Sequence, residues 1–403
     1  MSSRAVLIDG DSTNPAVIPS HMNDPAPLRR DKSTSAILLM GLVLGSFVSQ
    51  IPIVIGIGTL VCALYVYASW AHFPVAFEKV ATLMIICLLF LPAFLKPYHG
   101  LSPLFYFFST VVTFFAAKSV SQSSPLVLLT AFRTLYVVSL GAIGVVLYLF
   151  WGNPEPFGMV IEGSSTNGIP AYLIVVQIGL SLCFYLVHRR LPLWPTVATA
   201  AVAFYGNGRG SLIVASFLIC ATLVLNLLPT AARQRGSQIR LFAMFLAAAV
   251  GLAFYGVELG DFLARHTKLS AGIMDTNRLE IWNDYAEKLG PFTLLFGADY
   301  AGTIIETQYN NNPHIAYIRT HAFFGLPLTM LAIVSPAIVL FSRKIFSAKL
   351  VFFTFIGLGA LRAYTEPIFF PTLLDFFYFT YFWIFFNHAP ESSSSYLSKV
   401  SKS

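Results

Sequence analysis

The chain of 403 residues is 56% hydrophobic and 15% aromatic but only 11% charged, with a mean hydropathy of +0.72. A water-soluble domain carries roughly a quarter charged residues, so this composition excludes an ordinary soluble protein and excludes disorder over most of the length. The net charge of +7 takes its meaning from where the charges fall, and nucleic-acid binding is not read from it.

Residues 1–33 are rich in Pro, Asp, Asn, Ser and Arg and contain nothing like the apolar core of a signal peptide; they read as a disordered cytoplasmic tail. Apolar runs then recur at 34–49, 51–70, 80–95, 101–117, 125–151, 169–187, 191–207, 209–229, 240–258, 321–341, 348–364 and 368–387. Runs of about 15–25 residues match the thickness of a bilayer core. The expectation is an all-α, polytopic integral membrane protein with about 12 transmembrane helices, its membrane domain spanning 34–390. Residues 391–403, beginning with Glu391 and four serines, read as a second cytoplasmic tail.

An even number of helices puts both termini on one side. Of the 25 lysines and arginines, 17 then share the side of the termini, and eight lie opposite: Lys96, Arg209, Arg265, Lys268, Arg278, Lys288, Arg319 and Arg362. Cytoplasmic loops carry such an excess of basic residues, so the asymmetry orients the chain and accounts for its charge by topology and anionic lipid. The boundary Ser49-Gln50-Ile51-Pro52 matters most, because merging the two runs there would invert every later segment. Cys62, Cys87, Cys183 and Cys220 all fall within expected helices, which indicates neither a disulfide framework nor a thiolate metal site.

Three outer segments are candidate places for chemistry: the connection 152–168, the turn Tyr205–Ser211, and a long loop at 259–320. A loop of about sixty residues between membrane helices usually has structure or function of its own. In the turn, Arg209 stands among Gly206, Gly208 and Gly210 at the outer start of a helix. Backbone N–H groups there attract anions, and a guanidinium can grip a phosphate with two parallel bonds; the alternative is an arginine that snorkels and marks the interface. Within the loop, Asn277 to Leu289 has helical spacing, with Asn277 and Glu280 placed as a capping box and Gly290-Pro291 as the stop. Its apolar stripe is Leu279, Trp282, Ala286 and Leu289, and Arg278 sits in the first turn, either as an anion-binding group or paired with a nearby carboxylate.

Downstream, His314 lies at a helix start and His321 seven residues on, roughly the same face. That spacing does not chelate a metal, and no ligand cluster accompanies it, so neither a metal nor a cofactor is expected. A histidine at the lip of a cavity acts as general base, orients a hydroxyl, or is simply a satisfied interfacial side chain.

Taken in order, these segments carry a resemblance. Gly-Arg-Gly-Ser opens a helix at 208–211, the long loop contains Asn277-Arg278 with Trp282, Leu-Phe-Gly-Ala-Asp follows at 295–299, and His314, Tyr317, Gly325 and Leu326 keep a fixed register. Ser164 to Pro170 and Thr365-Glu366-Pro367 add to it. Over about residues 35–390 the chain resembles the O-antigen polymerase/ligase superfamily of bacterial envelope glycosyltransferases, departing from it at Ile315, where the family usually has Asn.

The resemblance implies a glycosyltransferase in the bacterial inner membrane, its active site facing the periplasm and the 259–320 loop periplasmic. The donor it implies is a glycan on undecaprenyl diphosphate, and the acceptor is a sugar hydroxyl on another lipid-linked glycan. Arg209 and Arg278 would hold the diphosphate and stabilise the leaving group, and His314 would accept or orient the acceptor's proton. Tyr205, Trp282 and Tyr317 would stack on sugar faces or serve the core. No cofactor is implied; chain-length regulator and flippase proteins are implied as partners. A polymerase of O-antigen, capsule or exopolysaccharide repeat units is the expectation, with a ligase passing polymer to lipid A-core as the alternative. A transporter or flippase is the more remote one; it calls for ionisable residues spread through helix centres, whereas these gather at the outer rim.

Overall fold

The computed structural model describes residues 27–69, 90–95, 100–153, 155–160, 168–227 and 276–391. In chain order its α-helices are α1 (Pro27–Val48), α2 (Pro52–Ser69), α3 (Leu91–Leu95), α4 (Ser102–Val120), α5 (Pro125–Leu149), α6 (Gly168–His188), α7 (Leu193–Tyr205) and α8 (Arg209–Leu227). From Thr276, where the described residues resume, come α9 (Thr276–Glu287), α10 (Pro291–Phe296), α11 (Ile304–Thr307), α12 (Ala316–Ile338), α13 (Phe346–Thr365) and α14 (Asp375–His388). Among the described residues seven helices are long and apolar enough to cross a membrane: α2, α4, α5, α6, α8, α12 with its extension to Phe341, and α13. Residues 34–48 of α1, and α7, are apolar but shorter. The chain is thus a multi-pass helical membrane protein. The expected spans at 240–258 and most of 80–95 lie outside the described residues, as do 1–26 and 392–403 of the tails.

The helix α6 is the axis of the bundle, buried along most of its length against α5, α7, α13 and α14. Lipid offers no hydrophobic force between helices, so close packing and hydrogen bonds must hold them. At Gly179 the ring of Phe132 lies so near the α6 backbone that a methyl group has no room. The Tyr381 hydroxyl donates to the Val175 carbonyl, and Tyr136 joins α5 to α7 by donating to Pro195 O at 2.8 Å, with Thr199 Oγ1 at 2.9 Å.

The bundle has two polar ends. At one, His388 Nε2 meets the Ser121 carbonyl at 2.7 Å, and Asn226 holds both backbone groups of Leu191 at 2.7 and 2.9 Å. At the other end lie the starts of α6, α8, α12 and α14 and the finish of α13, and there the candidate site forms.

Four boundaries differ from, or decide, the reading by hydropathy. First, α1 begins at Pro27, so residues 27–33, expected as tail, are helical. Second, α1 and α2 are separate: Gln50 turns with φ +54°, Ser49 Oγ donates to Ser46 O at 2.7 Å, and Gln50 Nε2 donates to Phe47 O at 2.8 Å. Third, α12 starts at Ala316 and breaks at Gly325, where φ is +71°. A side chain there would collide with the Leu295 carbonyl, so only glycine admits this close approach. Fourth, no helix runs from 368; α14 starts at Asp375. Prolines at 367 and 371 cannot donate to a helix ladder, and Asp375 instead accepts from Phe370 N at 2.8 Å and Thr372 N at 3.1 Å. Thr320 Oγ1 donates to Phe370 O at 2.7 Å. Buried backbone outside a helix must find its partners within the protein, as it does here.

Candidate functional site

Pro367 ends α13 because the residue before a proline is driven out of the helical region; Glu366 is extended, at φ −153° and ψ 144°. One turn earlier sits Arg362, fully buried. Its Nε donates to Ser211 Oγ at 3.1 Å and its Nη1 to Thr365 Oγ1 at 2.7 Å, so the end of α13 is bound to the start of α8. A Cβ on Gly210 would stand 2.6 Å from Thr365 Oγ1; the glycine beside Arg209 therefore serves helix packing. From the loop helix α9, Arg278 Nη2 donates to Glu366 Oε1 at 3.3 Å, with the two side chains 23% and 8% exposed. The Glu366 charge also acts on Arg362, in opposition to that of Arg278. A buried guanidinium needs such a counter-charge, since desolvation alone is prohibitive.

Glu366 forms part of the wall of a cavity of about 590 Å³, with Gln50, Tyr106, Ser109, Tyr172 and Arg319. Gln50 Nε2 donates to Tyr172 Oη at 3.4 Å. Arg319, in the first turn of α12, donates through Nη2 to Asn312 Oδ1 at 3.2 Å, and the same oxygen accepts the backbone N–H of His314 at 3.2 Å. A guanidinium, a carboxylate, phenols, an amide and a hydroxyl thus face one space beside two further arginines. Chemically it suits a ligand that is both anionic and rich in hydroxyls.

The expected residues divide. Arg278 stands in the cluster, and Arg209 begins the helix whose Ser211 binds Arg362. His314 shares Asn312 Oδ1 with Arg319 only through its backbone N–H and is not part of the cavity wall; it has φ +54° and precedes the helix. It therefore does not share a helical face with His321, because the periodicity begins only at Ala316. Its ring lies edge-on to Tyr309 at 5.3 Å. Tyr317 is a core residue, donating to Ala360 O at 2.8 Å and stacked on Phe370 at 6.2 Å. Trp282 is half-buried and stacked on Tyr364 at 6.1 Å; both line a separate groove with Tyr317. Tyr205, at the end of α7, is 55% exposed and meets Phe204 edge-on at 6.0 Å. Arg319, Arg362 and Tyr172 are site residues that the motifs do not single out, and Glu366 enters there only within Thr365-Glu366-Pro367, without a role. Of the first three, Arg362 carries a signal in the sequence, a cation within an apolar run.

The loop helix forms as its pattern predicts, but its buried face differs. It starts at Thr276, one residue before the expected cap. Ile281 and Tyr285 are buried, whereas Leu279 is 47% exposed and Ala286 is exposed too. The reason is polar: Tyr285 Oη lies 2.8 Å from His321 Nδ1, and His321 Nε2 lies 2.7 Å from Leu294 O. The carbonyl requires a proton on Nε2, so Nδ1 accepts from the phenol. Burial raises the Tyr285 phenol above its ordinary range, and the Asp299 charge adds to this, so it remains a donor. Both ring nitrogens of His321 are engaged inside the fold. Among the described residues no group of three His, Cys, Asp or Glu is placed to hold a metal ion.

No family model matches this chain, and neither a curated protein nor a solved structure matches it.

Proposed function

We propose that this protein is an inner-membrane glycosyltransferase that joins undecaprenyl-diphosphate-linked repeat units into a surface polysaccharide, at the periplasmic end of its bundle. The observation that carries this reading is the Arg278–Glu366 ion pair, one turn from the buried Arg362, at the wall of a cavity lined by hydroxyls and apolar side chains, at the end of the bundle where Arg209 and Arg319 also lie. Guanidinium groups at a membrane surface suit a diphosphate that enters on a lipid, and a cavity of this size and polarity suits a sugar.

In the proposed reaction the acceptor hydroxyl oxygen attacks the anomeric carbon of the donor glycan. The bond from that carbon to the phosphate oxygen breaks, and its electron pair leaves with the carrier diphosphate. The acceptor's proton passes to His314, whose backbone N–H shares Asn312 Oδ1 with Arg319. Arg278 and Arg209 hold the diphosphate and stabilise the charge that grows on it, a kind of help that preorganised donors give best in a water-poor site. Any contact of Trp282 and Tyr205 with sugar falls outside this cavity. No metal or cofactor enters the scheme.

The test is a deletion strain whose glycolipids are resolved by size. A single repeat unit on lipid A-core supports the polymerase. Long polymer stranded on the carrier means a ligase, and an unaltered glycan profile removes the glycosyltransferase reading altogether.

A further inference from the structure

Glu366 is an odd neighbour for a diphosphate. Its carboxylate, buried to 8% exposure, stands 3.3 Å from Arg278 and within the field of Arg362. An anion that binds these arginines must therefore contend with one the chain already supplies. The carboxylate belongs to an extended residue between α13 and Pro367 and lines the cavity wall.

We propose that Glu366 is an internal stand-in for the donor's diphosphate: it takes the anion position at Arg278, yields it when the diphosphate arrives, and reclaims it to expel the spent carrier. This rests on the reading above, and it deepens it by assigning a positioning residue. The carrier diphosphate is at once the handle of the donor and the leaving group, so an arginine cluster that binds donor well also binds product well. A competing carboxylate at the same guanidinium lowers both affinities and lets the product go. It also keeps two neighbouring guanidinium groups from standing uncompensated in a poorly solvated place. A Glu366 that served the fold alone would weaken anion binding only by fixed repulsion, an effect that would survive the loss of Arg278.

The experiment uses the full-length protein in lipid nanodiscs, with inorganic pyrophosphate and undecaprenyl diphosphate as the binding probes. Glu366→Gln is expected to tighten both by about tenfold, the scale of a partly buried charge-assisted contact, and Glu366→Asp to tighten them less. In the double variant Glu366→Gln/Arg278→Ala the gain is expected to vanish. With a lipid-linked donor, Glu366→Gln should lower KM and kcat together, with a burst of product before a slow steady state. Weaker or unchanged diphosphate binding in Glu366→Gln would overturn the proposal. Should that variant not accumulate in the membrane, Glu366→Asp decides the same question, because it keeps the charge and loses only reach. If the wild type binds diphosphate and the variant binds it tighter, but neither transfers glycan, the stand-in role survives and the glycosyltransferase reading fails.

Discussion

Two polar clusters lie on either side of the start of α12, and they use their groups in opposite ways. Around His321 the network closes: both ring nitrogens, the Tyr285 phenol, and the Leu294 and Ala298 backbone satisfy one another. Around Glu366 it stays open, since the carboxylate and Arg319 both face a cavity while Arg278 remains 23% exposed. A closed network specifies a fold and has no capacity left for a ligand. An open one keeps a guanidinium, Arg319, and a carboxylate, Glu366, facing the cavity, where a ligand can meet them. Of two histidines near each other in sequence, the structure thus places His321 with the scaffold.

The sharpest way to break this comparison is to remove a cation from the open cluster. Arg278→Ala is expected to lower glycan transfer by about 10²–10³-fold, the usual loss of a charge-stabilising donor, at normal membrane level. Arg209→Ala is expected to abolish surface glycan likewise; wild-type glycan from either variant would detach that arginine from the chemistry.

Next in size come changes to the closed cluster, which should act on stability alone. Gly297 has φ +93°, and a side chain there would meet the His321 carbonyl. Gly297→Ala should therefore destabilise by more than the ~1 kcal/mol of a routine backbone effect, seen as a lower melting temperature in detergent. Tyr285→Phe leaves His321 Nδ1 without its donor and is expected to cost about 1–3 kcal/mol, with transfer per folded molecule unchanged. A selective loss of turnover in Tyr285→Phe would mean that the two clusters are one. The smallest effect is expected from chelation. Purified protein turning over a lipid-linked donor should keep its rate in excess EDTA, and restoration of a lost rate by magnesium or zinc would bring metal chemistry back.

Much of the architecture is legible in one dimension. The breaks at Gln50 and Pro52, the start of α8 at Arg209, and the loop helix around Arg278 all follow from local signals: prolines, glycines and apolar run lengths. The buried face of α9 is not legible, because Leu279 is as apolar a choice as any, and Ile281 with Tyr285 wins only through partners at 298 and 321. Nor is the loop before α14. Its residues Ile368 to Leu374 are apolar enough to continue a helix on hydropathy, but Asp375 and Thr320 satisfy their backbone in another shape.

By itself the amino-acid sequence determined the environment of this protein, its helical class and the rough places where helices turn, since burial in lipid is a sum of local transfer energies that any window can add up. The tertiary structure alone decided which charges meet. Arg278 and Glu366 are 88 residues apart and Arg362 and Ser211 are 151 apart, and the energy of such pairs depends on distances and desolvation that exist only after the helices have packed.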